Sequence, residues 1–452
     1  MKRIIAVIAA LSLIFVPGCG KNEDTGSIKE ISVLARGGAD KGVIQGLIED
    51  YNKTNTDNIR IKYEEKDDSL GEYLRVALQA GTVPDIFEGL SSATYEIALA
   101  KKWLRKLDDD TVEKYRSKMV DGAVRKSSDG NVYTVSTNAG GAFKLIWNKE
   151  MFAECGLEPE TPPKTWDEVR EYAKIMTKNG GGKKYGFALP FKNEGFARLY
   201  VMIPGGPSDL FNDNGFEPKT GKFDFTIYNK MTQLFRDMNE EGSVFPSPAT
   251  LDNDTARAQF AAGNIGMMFA ATWDAGVFNN QFPCKMDWGI ANIPTFTGEV
   301  TGSYVIATCT GGRIMSSNSK HPEEQFKVWE YLHSEKYSKT MQDAGCGISP
   351  YKEIGRPELL KTDIKGYKEL NFQDDGDPLH YLDVPPAPSV TIKGDNYEKT
   401  IAALVSNKAD IDEELKKLTD RYNEAVDEWS KKGNDINKYI VPDYNPNTYI
   451  PN

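Results

Sequence analysis

The most informative pattern in the chain is a short apolar run, Ile265 to Ala270, that follows a polar helix start and a glycine. Asp252 is placed to cap the helix, and Gly263 stands where a helix end favours a residue that tolerates positive φ. The run itself has the length and turn-bounded composition of a buried strand. Trp273 comes just after it, at a strand end, where α/β sheets place ligands. It is therefore either a ligand platform or a core aromatic, and the local sequence alone favours the core.

In the N-terminal part, short stretches with the two-residue period of a strand alternate with stretches that have the 3.6-residue period of a helix. Strands are predicted at Ile31–Ala35, Ile59–Tyr63 and Asp85–Phe87, and helices at Val43–Tyr51 and Tyr73–Ala80. A β-α-β-α-β order indicates a parallel sheet with right-handed crossovers. The predicted fold class is therefore α/β.

The middle of the chain holds a candidate crossing between two lobes. Strands predicted at Val132–Val135 and Phe143–Trp147 flank the glycine-containing segment Asn138–Gly141. Further on, Thr165 and Glu168 have the spacing of a capping box, which predicts a helix from Trp166 to about residue 179.

The remaining pattern predicts short strands, a hairpin and helices. They are strands Tyr185–Leu189, Trp288–Ile293 and Tyr304–Ala307, a hairpin in Phe211–Phe225 around Asp213-Asn214-Gly215, and helices at 197–202, 326–332, 335–344 and 411–429. Asn193, Glu194 and Phe196 follow the first of these strands, so an amide, a carboxylate and an aromatic ring come within four residues.

The first residues have the order of an export signal. Lys2 and Arg3 precede the apolar run Ile4–Val16, which is too short to span a bilayer. Val16-Pro17-Gly18-Cys19 resembles the lipobox of bacterial lipoproteins, which implies acylation of Cys19. Residues 1–18 are thus predicted to be a lipoprotein signal peptide and residues 19–27 a polar tether. The rest is too long for one ordinary core, so two domains are expected.

Composition and motifs exclude several functions. The formal net charge of −11 leaves no basic footprint for nucleic acid. The cysteines after Cys19, at positions 155, 284, 309 and 346, lack zinc or redox spacing, and any pairing among them is left open. The three histidines have no metalloprotease spacing, and no phosphate loop, nucleophile elbow or calcium loop is found. We therefore expect no cofactor, no metal site and no catalytic residue.

Four stretches, read in series, resemble the family 1 extracellular solute-binding proteins, the substrate-capturing lipoproteins of sugar ABC transporters. They are Ala80–Phe87 (AGTVPDIF), Ile146–Phe152 (IWNKEMF), Pro162–Glu168 (PPKTWDE) and Phe260–Met268 (FAAGNIGMM) before Trp273. The resemblance implies a two-lobed periplasmic-binding-protein fold of type II, with the ligand cleft between the lobes and a hinge crossed more than once. The expected division is residues 28–140 plus 302–350 in lobe 1, and residues 141–301 plus 351–452 in lobe 2.

The same resemblance implies the site residues. Matched to relatives that bind maltose-type sugars, it gives Asp40, Lys41, Glu88, Ser91, Glu194, Phe196 and Trp273. The predicted ligand-binding set is completed by Asn138, Asn193, Asp274 and Tyr304. The resemblance favours Trp273 as a platform. Gly89 replaces an expected aromatic residue, and a carboxylate expected near Gly140 is missing, so specificity for maltose is not implied.

The expected function is that of a lipid-anchored extracytoplasmic protein that captures a sugar or oligosaccharide and delivers it to an ABC transporter permease. It is expected to be a monomer with no nucleic-acid partner and no enzymatic activity. Two alternatives remain. One is a secreted carbohydrate-active enzyme using Glu194 with Glu88 or Asp274. The other keeps the fold but binds a peptide, polyamine or metal complex, and a cleft with more acids than aromatic rings would favour the polyamine.

Overall fold

The computed structural model describes residues 27–38, 40–66, 69–140, 143–210, 213–302, 309–361, 363–371, 385 and 387–445. The predictions for Cys19, Tyr304 and the strand Tyr304–Ala307 lie outside these ranges. The strands are β1 Lys29–Arg36, β2 Ile59–Lys66, β3 Ile86–Phe87, β4 Leu104–Arg105, β5 Asn138–Ala139, β6 Phe143–Asn148, β7 Tyr185–Phe187, β8 Phe216–Glu217, β9 Lys222–Phe223, β10 Ile265–Ala271, β11 Trp288–Ala291, β12 Cys309–Thr310 and β13 Ile314–Ser316. The helices are α1 Lys41–Thr54, α2 Leu70–Ala80, α3 Ser92–Ala100, α4 Asp109–Lys118, α5 Lys149–Glu154, α6 Trp166–Gly180, α7 Asn229–Glu240, α8 Asn253–Ala261, α9 Asp274–Gly276, α10 Pro322–Leu332, α11 Glu335–Asp343, α12 Tyr367–Asn371, α13 Tyr397–Ser406 and α14 Ile411–Lys431.

The first sheet has the strand order β2-β1-β3-β13-β4. Strands β1, β2 and β3 run parallel, as the alternating sequence pattern predicts. Strand β13 comes from much later in the chain and pairs antiparallel with both β3 and β4. Helix α10 packs on β1, and its buried Trp329 meets Tyr115 of α4 edge-on at 5.6 Å. This sheet and its helices form the first lobe.

The second sheet has the order β11-β6-β10-β7 and forms the centre of the second lobe. Every residue of β6 and β10 is buried, because helices cover the sheet and leave no solvated face. The ring of Trp166, at the start of α6, lies 5.8 Å from that of Phe235 and 6.0 Å from that of Phe269. The capping box is confirmed: Thr165 accepts from the Glu168 N–H, and the Glu168 carboxylate accepts from the Thr165 N–H.

The chain passes between the lobes at one small array of extended segments. Strand β5 pairs with β12 through Ala139 and Cys309, and Ala139 also bridges to Ile348. The Ala139 N–H donates to the Ile348 carbonyl at 2.8 Å. Three crossings thus lie side by side, as a hinge between lobes requires. The exact lobe boundaries at residues 140, 302 and 350 stay a prediction.

Two local predictions need correction. Residues 132–135 are not a strand: Val132 and Val135 are buried, but the segment packs under helices of the first lobe without a β ladder. The predicted hairpin exists as β8 and β9, but its turn is at residues 218–221, where Gly221 has φ 70°. Asp213–Gly215 instead form a short 3-10 turn that leads into β8.

The cysteines whose side chains are described form no disulfide. Cys155, Cys284 and Cys346 are free thiols, and burial raises the pKa of Cys346 to about 12. This thiol is therefore neutral near pH 7.

Candidate functional site

A cleft of about 1090 Å³ lies between the two lobes, with the hinge array along its floor. The first lobe contributes the end of β1, the start of α1 and the residue after β3. The second lobe contributes the segment after β7, the start of α8 and the segment after β10. The floor includes Thr137, Asn138 and Gly347. The carboxyl ends of strands in both sheets therefore meet at one cavity, as in other open α/β sheets.

The loop after β1 places Asp40 on the first wall. Its carboxylate does not cap helix α1, although Asp40 is the residue before that helix. A Cβ at Gly38 would lie 2.9 Å from Asp40 Oδ1, so a side chain there would displace the Asp40 carboxylate from its present position. Burial raises the pKa of Asp40, and the nearby Glu88 raises it further. Arg313 and a backbone hydrogen bond act in the opposite direction, and no ion pair between Asp40 and another described residue is found, so Asp40 is a partly desolvated acceptor.

Glu88 follows β3 and lies beside Arg313 on the same wall. Glu88 Oε1 accepts from the Arg36 N–H at 3.1 Å, and Glu88 Oε2 lies 3.7 Å from Arg313 Nε. Arg313 Nη2 donates to the Tyr337 hydroxyl at 3.1 Å. Lys41, in the first turn of α1, forms an ion pair with Glu65 at 3.4 Å.

Trp273 provides the aromatic surface of the second wall. Its side chain is 38% exposed, whereas most large apolar side chains of this lobe are buried. Phe143 meets the ring edge-on, with centroids 6.2 Å apart and planes at 82°. Edge-to-face contacts of this kind stabilise the position of a ring, and the remaining exposure leaves part of Trp273 accessible from the cleft. Phe196 lines the same wall and packs on Tyr200.

Asp274, predicted as a ligand contact, lies outside the lining of the cleft. The residue is 4% exposed, and its carboxylate accepts from the Ala271 N–H at 2.6 Å and lies 2.6 Å from Arg257 Nη2. Burial raises the pKa of Asp274, and Arg257 pulls it in the opposite direction. The pair fixes the loop that carries Trp273, so Asp274 is placed as a supporting residue.

Two further predicted residues are also not in the lining. Ser91 caps helix α3 by accepting from the Thr94 N–H. Glu194 lies one residue beyond the lining residue Asn193, whose side-chain oxygen accepts from the Gly195 N–H at 3.1 Å.

The structure brings together Asp40, Lys41, Glu88, Asn138, Asn193, Phe196 and Trp273 at the cleft. Their contacts with a ligand stay a prediction. Sequence reasoning missed the cleft residues Arg257, Arg313 and Tyr337. Nothing in their local sequence marks them, apart from the glycine pair that precedes Arg313.

The charges that line the cleft are largely neutralised. Carboxylates outnumber aromatic rings, but most of them have a cation nearby: Glu65 with Lys41, Glu88 with Arg313, Asp252 with Lys192 at 3.5 Å, and Asp254 with Arg257 at 2.9 Å. Lys66 lies 4.4 Å from the ring centroid of Tyr73, and Arg36 also has an interaction partner. In the described part of the cleft, Asp40 is the carboxylate left without an ion pair.

The described ranges contain neither a metal-binding cluster nor a membrane-spanning helix. Their His, Cys, Asp and Glu side chains form no cluster suited to a metal ion. None of their helices is long and apolar enough to cross a bilayer.

Two α/β lobes, a triple crossing and a polar cleft with an exposed aromatic ring define a two-lobed solute-binding protein. The model of the bacterial extracellular solute-binding protein family matches residues 38–338, and the chain belongs to this family. This agrees with the resemblance seen in the sequence motifs.

Known proteins support the same fold. The sn-glycerol-3-phosphate-binding periplasmic protein UgpB of Salmonella paratyphi A is 25% identical over 251 residues, which are 54% of this chain and 54% of that protein. The chain thus spans about half the length of this curated relative. The GacH receptor of Streptomyces glaucescens, solved unliganded and with acarbose, has a TM-score of 0.69 and 16% identity, covering 89% of this chain and 99% of that one. The maltose/maltodextrin-binding domain MalE of Bdellovibrio bacteriovorus, bound to maltotriose, has a TM-score of 0.66 and 18% identity, covering 88% and 100%.

Proposed function

We propose that this protein captures a neutral sugar or oligosaccharide in the interlobe cleft. The observation that carries the proposal is the charge state of the lining, in which the cations near carboxylates largely compensate the acids while a stacking ring and the Asp40 carboxylate, which has no ion pair, remain available. Trp273 offers an exposed face to an apolar C–H surface, and Asp40 offers a desolvated carboxylate to a hydroxyl donor. A sugar presents both kinds of surface.

Charged ligands have less support. A phosphate ester would need cations without a carboxylate beside them. Lys41, Lys192 and Arg257 are paired with carboxylates, and Arg313 has Glu88 beside it at 3.7 Å. A polyamine would need unpaired acids. The lining has more acids than aromatic rings, and this count alone would favour a polyamine. In the described cleft, however, Asp40 is the one acid that lacks an ion pair.

The proposed enzyme alternative also has little support in the geometry. It requires Glu194 opposite a second acid at the reacting bond. Glu194 is outside the lining, and Asp274 is held by Arg257 behind Trp273. Incubation with maltotriose, raffinose and xylotriose should therefore yield no products by chromatography, and hydrolysis at a steady rate would favour the enzyme.

A thermal-shift screen tests the ligand class, because a ligand that binds only the native state raises the melting temperature. The panel consists of maltotriose, raffinose, stachyose and xylotriose, with spermidine and sn-glycerol 3-phosphate as charged alternatives. We expect a shift with at least one neutral sugar and none with spermidine. A shift with a charged compound alone would refute capture of a neutral sugar.

We further propose that the protein is a monomer held at the outer face of the cell membrane by lipid on Cys19, and that it delivers its ligand to the permease of an ABC transporter. The proposal rests on the Val16–Cys19 lipobox and on the family. Two acyl chains give stable anchoring, whereas one does not. Cys19→Ala should release the protein from the membrane fraction or leave an uncleaved precursor. Normal processing and unchanged membrane association would refute the anchor.

A further inference from the structure

Arg313 enters the first lobe directly from the hinge array, behind two glycines with positive φ, a conformation that residues with a side chain rarely adopt. Gly311 has φ 71° and Gly312 has φ 120°. A Cβ at Gly311 would lie 2.4 Å from Thr137 Oγ1, and one at Gly312 would lie 2.8 Å from the Val135 carbonyl oxygen. Only glycine fits this crossing, and it fixes where the next residue is placed.

The backbone of Arg313 is held on both sides. Its N–H donates to His333 Nε2 at 3.2 Å. Its carbonyl accepts from Trp329 Nε1 at 2.6 Å and from Thr134 Oγ1 at 2.8 Å. The side chain therefore leaves a rigid position and reaches the cleft wall.

The guanidinium group lies 5.3 Å from the centroid of the Tyr337 ring, and one of its buried nitrogens has no hydrogen-bond partner among the described residues. Arg313 lines the cleft although it is 4% exposed. Its hydrogen bond to the Tyr337 hydroxyl uses one of five N–H donors, and Nε is buried without a partner. The Glu88 carboxylate, at 3.7 Å, is beyond hydrogen-bonding distance. Buried unpaired donors are costly, so this group is suited to an acceptor that the ligand brings.

Other polar atoms nearby are in the same state. Two residues that line the cleft have buried oxygens without hydrogen-bond partners, Glu65 Oε1 and Asn138 Oδ1. The hydroxyl of Tyr63 is also buried and has no hydrogen-bond partner. Burial raises the pKa of Tyr63, and Arg313 and Glu88 lie close enough to influence it. Unused hydrogen-bonding capacity is thus concentrated at the first-lobe end of the cleft.

We propose that Arg313, Glu88 and Asp40 form a subsite for two adjacent hydroxyl groups of the ligand. The inference rests on the proposed function and specifies the chemistry at one end of the site. One hydroxyl oxygen accepts from the guanidinium, and the neighbouring hydroxyl donates to a carboxylate. The arginine disfavours an ammonium group here, and the two carboxylates disfavour a phosphate or carboxylate group. A vicinal diol satisfies donors and acceptors together.

The test measures affinity by calorimetric titration with maltotriose, raffinose, stachyose, xylotriose and sn-glycerol 3-phosphate, all of which contain a vicinal diol. Arg313→Lys keeps the charge beside Glu88 but removes the planar donor set. We expect it to weaken binding about ten-fold or more, as for loss of a charge-assisted hydrogen bond. Arg170→Lys is the matched control, because Arg170 pairs with Asp237 and Glu241 outside the cleft lining. It should bind within about two-fold of wild type.

Asp40→Asn is a second variant that does not depend on the arginine. Its carboxylate has no ion pair, does not cap its helix and has a pKa raised by burial, so the melting temperature without ligand should stay the same or rise. Affinity should again fall about ten-fold, and the double variant should lose less than the product of the two single losses, because both contact one diol.

The outcomes separate this subsite from the proposed function. If a sugar binds wild type and either single variant binds it within two-fold, the subsite is refuted while sugar capture stands. If sn-glycerol 3-phosphate alone binds, sugar capture is refuted, and the variants then decide the subsite on that ligand. Absence of binding by every probe refutes both. A purely structural role for Arg313 predicts a lower melting temperature without ligand and full affinity for Asp40→Asn.

Discussion

Replacement of Trp273 by alanine gives the most direct test of the cleft. The side chain is 38% exposed without ligand, so about two fifths of its surface is available to a bound sugar. An aromatic side chain of this size buries up to about 250 Å², which leaves roughly 95 Å² for the ligand. At about 25 cal/mol per Å², covering this area contributes about 2 kcal/mol. Trp273→Ala should therefore weaken binding roughly thirty-fold.

The assay is calorimetric titration with the sugar that gives the largest thermal shift. Trp429→Ala is the matched control, because Trp429 also has an edge-on aromatic partner, Tyr439 at 5.9 Å, but lies outside the cleft lining. The control should bind as wild type does. Loss of the contact with Phe143 should lower the stability of Trp273→Ala only modestly, by about 1 kcal/mol. If Trp273→Ala melts normally and binds within about two-fold of wild type, a difference of about 0.4 kcal/mol, the assignment of the second wall is wrong.

Three further predictions concern the supporting role of Asp274, the acid sensitivity of the fold and the closure of the two lobes. Asp274→Asn leaves Arg257 with Asp254 as its remaining carboxylate partner, so the free energy of unfolding measured in urea should fall by about 3 kcal/mol. The exposed control Asp420→Asn should lose less than about 0.5 kcal/mol, and an equally small loss for Asp274→Asn would contradict its supporting role. Burial lowers the pKa of His333 to about 3, so the unfolded state binds more protons below pH 6.5. Stability should therefore decrease as pH falls from 6.5 towards 3, with a contribution of about 2 kcal/mol by pH 5, and His333→Gln should have a shallower acid slope. A sugar already shown to bind should reduce the radius of gyration in small-angle scattering, and an unchanged radius would count against closure.

Sequence patterns correctly predicted the helices and strands that neighbouring residues determine. The capping box at Thr165 and Glu168 predicted the start of α6, and the apolar run after Gly263 predicted β10. The same logic failed at residues 132–135, because a short run of buried apolar side chains also occurs where an extended segment packs under helices without a sheet neighbour. Burial alone therefore does not identify a strand.

The site was less accessible to sequence reasoning, because its partners are far apart in the chain. Asp274 follows Trp273 and was predicted to touch the ligand, but its arginine partner is on the preceding helix. Arg313 was not predicted at all, since Glu88 and Tyr337 come from separate segments. The pair Gly311-Gly312 was the available signal, because two glycines before a strand indicate close backbone approach.

The position of β13 has a consequence for how the chain can be synthesised and divided. Ile314–Ser316 lies between β3 and β4, so the first sheet cannot be completed until about 316 residues are available. A fragment that ends before this strand would leave β3 and β4 with unpaired edges, which invite aggregation. Pairing across such a long sequence separation is also slow, so the newly made first lobe should stay incompletely folded for much of synthesis. Split-protein or reporter insertions in this chain should therefore keep residues 29–105 and 314–316 on the same polypeptide.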